Sequence, residues 1–334
     1  LCVLLVAAPN YPHYKRFSYL LYALLLAVIV LLLIFGRPIR GMKGWISVGG
    51  FTIQPSEFMK IAFVMAMAQY LMYRKNVDRL RGLIGPFVLT AIPMVLVLRQ
   101  PDLGTAMIFF PVCLMMLFAA GARVKHLVGV FLLCAILGIF SFFFLLKDYQ
   151  KKRLSSFVAP QTVSKDLSFQ QESSVRATAT GGLFGRGLWK SPLYSVLVPD
   201  RHTDFIFPVI GEEMGFVGCT AVILLYVLLF VLALRIAYDS REPYGRLLAV
   251  GMVAYLGAQA IINLAMTVGL GPITGVTLPF ISYGGSSLIS CYIAVAMILN
   301  VGRWWVPSFS SKDFGDRAGQ VNTELGRRKW IRGL

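Results

Sequence analysis

Eight hydrophobic runs, at about 17–36, 54–73, 82–98, 103–120, 127–146, 216–237, 247–269 and 284–303, the last opening on small and polar residues, constrain this chain more than any other feature. Each is close to the ~20 residues an α-helix needs to cross ~30 Å of hydrocarbon. The runs are continuous rather than alternating, so they read as helices and not as barrel strands. Only 14% of the residues are charged, against ~25% in a soluble domain. The expected fold is an all-α polytopic membrane protein, with residues 1–334 forming one membrane domain. Leu1–Ala8 is apolar but too short to span, and reads as the end of a helix whose start lies upstream. The five cysteines stand singly in apolar runs and the three histidines are scattered. That pattern supports neither a disulfide framework nor a zinc site.

Net charge is +17. On a membrane protein such charge sets topology and meets anionic lipid, so nucleic acid is not implied as a partner. The tail, 304–334, is polar and basic and is expected in the cytoplasm. Segment 270–283 has no charged residue, so it is expected outside. Alternation then places the basic loops 9–16, 74–81, 121–126 and 238–246 inside, and 37–53, 99–102 and 147–203 outside. The last of these breaks the usual bias, with nine basic residues against four acids. Long loops can cross regardless of charge. The functional reading is an anion-binding surface, suited to a phosphate or diphosphate head group.

The loop ends on Arg201-His202-Thr203-Asp204-Phe205-Ile206-Phe207. The apolar residues after Asp204 would partly desolvate it, and desolvation favours the protonated form. A carboxylate so placed is a plausible general base for a sugar hydroxyl. Thr203 or Asp204 could equally cap the following helix. As one helix, residues 204–237 would be ~51 Å long, too long for a simple crossing. Pro208, Gly211, Gly215 and Gly218 fall in its first half, so a short piece to about 214 is expected before the span proper. Asp204, Glu212 and Glu213 would then lie in or near a cavity.

Other acids have structural readings. Asp148, Asp166 and Glu172 read as solvated loop charge, and Asp200 as a partner of Arg201. Glu57, in Gln54-Pro55-Ser56-Glu57-Phe58-Met59-Lys60, is expected at a helix start, paired with Lys60 near the outer surface. Asp102, in Arg99-Gln100-Pro101-Asp102-Leu103-Gly104-Thr105, reads as the cap of the next helix. Two glycine-rich stretches remain. Thr180–Gly187 lacks the lysine and the preceding strand of a nucleotide loop, though its amides could meet an anion. Pro279–Ser287 leads into the last span, where small residues would allow close helix packing.

Taken in order, these motifs resemble the SEDS family (shape, elongation, division and sporulation), the RodA/FtsW/SpoVE proteins. The resemblance rests on Gln54–Glu57, Gln100–Thr105, Gly181–Gly185, His202–Phe207 with Gly211-Glu212-Glu213, and Asn263–Ser287 including Ser282-Tyr283-Gly284-Gly285. It implies ten transmembrane helices, about eight of them complete here. It also implies a peptidoglycan glycosyltransferase that polymerises lipid II at the outer face of the cytoplasmic membrane, beside a class B penicillin-binding protein transpeptidase. Asp204 falls on the family's essential aspartate. Lys152, Arg153 and Arg201 are expected to neutralise the leaving diphosphate. His202, Thr203, Glu57, Lys60, Gln100, Asp102, Glu212, Ser282 and Tyr283 are the further substrate-binding candidates. No cofactor is required by the sequence, though a divalent cation such as Mg or Mn could assist. Asp200 and Pro208 depart from the residues usual in the family. A lipid II flippase and a non-enzymatic scaffold for the transpeptidase are the competing readings.

Overall fold

The computed structural model describes residues 11–38, 42–48, 51–74, 76–144, 165–188 and 203–303. The described helices are α1 (Tyr11–Phe35), α2 (Pro55–Leu71), α3 (Leu80–Arg99), α4 (Leu103–Ala119), α5 (Val124–Phe144), α6 (Lys165–Thr180), α7 (Ile206–Asp239), α8 (Pro243–Thr267) and α9 (Gly285–Arg303). A hairpin, β1 (Ile46–Val48) and β2 (Phe51–Ile53), pairs Ile46 with Ile53 ahead of α2. Of the described helices, α1, α3, α7, α8 and α9 are long and apolar enough to cross a membrane, while α2 and α4 have 17 residues each.

Helices α2 and α8 form the centre. Helix α2 is buried on every side, against α1, α3, α4, α8 and α9, which is why its apolar residues show no stripe. Helix α8 packs on α2, α4, α6, α7 and α9. Gly251 lets α8 approach its neighbours, since a Cβ there would lie 2.4 Å from Val64 Cγ1 and 2.9 Å from Met116 Sδ. Helices α1, α3 and α7 carry the outer surface. On α3, Ile84, Val88, Ile92 and Val95 are exposed at helical spacing. An exposed apolar stripe on a helix of this length is the face that meets lipid.

Helix α7 is broken as its length and glycines suggest. Gly215 has φ 66° and ψ −160°, in the region that L side chains avoid. The break is not at Pro208, which lies in the first turn, where a missing N–H breaks no helical bond. A break strands the backbone groups on either side of it, and in lipid these need protein partners. The glycine loop 181–187 supplies them. Phe216 N donates to Gly182 O at 2.9 Å and Val217 N to Leu183 O at 3.1 Å. In return Arg186 N donates to Glu212 O at 2.9 Å and Gly187 N to Glu213 O at 3.1 Å. The expectation that these amides are available to an anion is therefore corrected for residues 186 and 187, as it is for Gly185 N, which donates to Gly181 O. A Cβ at Gly185 would lie 2.1 Å from Glu213 O, so the fit demands glycine.

Candidate functional site

A cavity of about 890 Å³ opens at the end of the bundle where α2, α4, α7 and α9 begin. Five segments wall it. The hairpin region contributes Trp45 and Thr52, the start of α2 Gln54 and Glu57, and the α3–α4 turn Asp102 and Thr105. Thr203 and Asp204 come from the turn before α7, and Thr274, Thr277, Tyr283 and Ser287 are among those from the segment leading into α9. Carboxylates from three distant parts of the chain, Glu57, Asp102 and Asp204, thus share one wall.

Each is positioned differently. Asp102 caps α4 as expected, its Oδ1 accepting from Thr105 N at 3.0 Å. Its Oδ2 accepts from Gln54 Nε2 at 2.8 Å, and Gln54 N donates to Ser286 Oγ at 3.0 Å. One carboxylate so joins the starts of α2, α4 and α9. Burial pushes the Asp102 carboxyl above its usual range, against the lowering effect of the Thr105 bonds.

Glu57 and Lys60 pair as expected, with Nζ 2.9 Å from Oε1, and the pair is enclosed within the bundle. Lys60 is only 2% exposed. The helices around α2 supply the pair with polar partners. Lys60 Nζ also donates to Gln259 Oε1 at 3.1 Å and lies 4.8 Å from the Tyr255 ring centroid. Ser290 Oγ donates to Glu57 Oε2 at 3.2 Å. Gln259 Nε2 continues to Thr277 O and Ser287 Oγ. A buried charge pair persists only when its remaining polar atoms are met this way.

Asp204 sits on the turn 203–205. Helix α7 begins at Ile206 with Phe205 at the N-cap position, whose side chain makes no cap bond. The turn is held from behind. Asn263 Nδ2, on α8, donates to Asp204 O at 2.8 Å and to Val276 O at 2.6 Å. Phe205 is buried with Ala177, Met266 and Ile273. Asn263 thus ties the Asp204 turn to the 270–284 segment. It had entered the sequence reading only as part of a motif, because backbone partners 59 and 13 residues away leave no local signal.

The other candidates separate. Thr203 and the largely exposed Tyr283 line the cavity. Ser282 does not: its Oγ accepts from Leu278 N at 2.7 Å and closes a turn. Gln100 is buried behind the wall, its Nε2 3.4 Å from Ile29 O. Glu212 is fully buried near Arg186, at 3.8 Å, and does not line the cavity. Gly284 and Gly285 form cavity wall rather than a tight helix contact, since a Cβ on Gly285 would meet nothing within 4 Å. Lys152, Arg153, Arg201, His202 and Asp200 lie outside the described residues. Trp45 and Thr52 are additions the sequence reading missed. Gly49-Gly50 between two short β-prone runs was the available hairpin signal. Among the described residues, no group of three or more His, Cys, Asp or Glu could hold a metal ion.

Comparison with known proteins agrees with this architecture. A family model described as cell cycle protein, FtsW/RodA/SpoVE, matches residues 1–304. Stage V sporulation protein E of Bacillus subtilis is 38% identical over 301 residues, covering 88% of this chain and 81% of that protein. A probable peptidoglycan glycosyltransferase FtsW of Geobacter metallireducens is 36% identical over 308 residues, covering 90% and 81%. Among solved structures, a chain from work on how a peptidoglycan synthase complex coordinates polymerization and crosslinking superposes with TM-score 0.79. It is 30% identical, with 92% of this chain and 87% of that chain covered. The rod shape determining protein RodA of Thermus thermophilus superposes with TM-score 0.68 at 29% identity, covering 92% and 85%. The chain belongs to the FtsW/RodA/SpoVE family of cell cycle proteins.

Proposed function

We propose that this chain is a peptidoglycan glycosyltransferase that polymerises lipid II in the cavity, with Asp204 as general base. Relatives named as peptidoglycan glycosyltransferases support the reaction class. The observation that carries the residue assignment is Asp204 on the wall of a cavity it shares with Glu57 and Asp102, on a turn pinned by Asn263. Asp204 takes the proton of the acceptor GlcNAc 4-hydroxyl. The oxygen forms the new bond to the donor's anomeric carbon, the bond from that carbon to the diphosphate breaks, and undecaprenyl diphosphate leaves with both electrons. A positioned base of this kind contributes roughly 10²–10⁴ in rate. Lys152, Arg153 and Arg201 stabilise the departing charge.

The membrane is the bacterial cytoplasmic membrane, with the cavity outside and the C-terminal tail inside, and the working partner is a class B penicillin-binding protein. The similarity to a chain of a peptidoglycan synthase complex supports that partnership. The test is glycan polymerisation from purified lipid II by the chain with its transpeptidase, comparing Asp204 with Asp204→Asn. Polymer from the parent and a loss of at least about 10² in the variant is the expected result. Equal polymer from both removes Asp204 as the base. Lipid II crossing between leaflets with no polymer from the parent would instead make the protein a transporter, and neither activity would leave a scaffold.

A further inference from the structure

We propose that the tip of the glycine loop, Leu183, Phe184 and Leu188, is inserted into the acyl-chain boundary of the bilayer and anchors the broken half of α7 there. The sequence places this loop in a polar, basic segment, where an aqueous location would be the default. The structure gives it another character. Leu183, Phe184 and Leu188 are 66%, 80% and 62% exposed.

Their position follows from the backbone. Val217 N donates to Leu183 O, so the tip begins beside Val217. Val217 is itself exposed, as are Leu224, Leu228 and Val231 on the same face of α7. The tip therefore heads the helix stripe that meets lipid. Depth can be set by length. About 20 residues separate Gly215 from the exposed Arg235, a rise of ~30 Å, which is the hydrocarbon thickness. With Arg235 reaching water at the far boundary, the break lies at the near boundary, and so does the loop bonded to it.

The loop is also built to hold its tip out. Its four bonds to the α7 break and the Gly185–Gly181 bond fix the backbone. Side chains of this kind on a rigid support gain by burial in the acyl boundary rather than exposure to water. Helix α6, leading into the tip, keeps Glu172 and Arg176 paired at 2.6 Å with both side chains exposed.

The experiment places a nitroxide at Phe184→Cys or at Glu172→Cys, in the full chain with its native cysteines replaced by alanine, in phosphatidylglycerol–phosphatidylethanolamine vesicles. Collision with oxygen dominating over a water-soluble nickel chelate at 184, and the reverse at 172, is expected. A second measurement leaves the cysteines intact. The emission that Phe184→Trp adds to the parent should be mostly lost in lipids brominated at shallow acyl positions and kept in unbrominated lipid. Ready access of the chelate to 184, or added emission indifferent to bromine, overturns the proposal. So does protection of 184 from both reagents only when a partner membrane protein is present, which would make the tip a protein-docking surface.

Discussion

Lys60→Met would leave the Glu57 carboxylate buried with its cation gone, and breaking a buried pair from one side costs about 3–5 kcal/mol. The Glu57→Gln, Lys60→Met double variant should recover most of that loss. Thermal melting of the singles and the double in lipid nanodiscs checks both statements. Asn263→Asp replaces the amide's paired donors with acceptors facing two carbonyls. We expect about 1–3 kcal/mol of destabilisation for each carbonyl left without a donor. Polymerisation should fall even where the variant remains folded at the assay temperature, because the Asp204 turn has lost its tie to α8. At this scale the sequence was partly legible. Asp204 stood out as an acid at the mouth of an apolar run, and Asp102 as a cap. The Glu57–Lys60 pair was legible from its spacing, but its enclosure was not, because Gln259 on Lys60 and Ser290 on Glu57 are 199 and 233 residues away.

Glycines at the α7 break divide into two kinds. Gly215→Ala would force an L side chain into φ 66° and set its Cβ 2.3 Å from Gly185 N. At φ 66° and ψ −160° the backbone is in a region essentially confined to glycine, where an alanine costs on the order of 1–3 kcal/mol, and the backbone clash adds to it. Gly182→Ala carries φ 59° but open space, so only the strain remains. Melting should therefore drop well further for Gly215→Ala than for Gly182→Ala, and equal losses would show that loop and break are not in contact. The break was readable because a 34-residue apolar stretch with early glycines cannot be a plain crossing. Its partner was not, since the 181–187 loop bonds through backbone and leaves no side-chain pattern. Likewise the spans followed from apolar length, whereas the hairpin's three-residue strands are too short to announce themselves.

Across the described residues, the helix order sends 42–48, 51–54, 99–105, 203–205 and 270–287 to one end and the α7–α8 turn to the other. With cysteines at Glu172 and at the exposed Tyr238, a membrane-impermeant maleimide applied to intact spheroplasts should label 172. It should reach 238 only after permeabilisation. The reverse pattern would turn the cavity toward the cell interior. The charge on the cavity wall has its own consequence. Glu57, Asp102 and Asp204 line it, while the Lys60 ammonium is enclosed behind it. Among the described residues the cavity lining holds these three acids and no lysine or arginine, whereas segment 147–203 carries nine basic residues against four acids. An uncharged sugar hydroxyl can approach such a wall freely, but a pyrophosphate cannot settle on it. Under the proposed reaction the two reactants would be sorted by polarity before shape selects between them, the acceptor's sugar against the acids and the donor's anionic end toward the basic residues of 147–203.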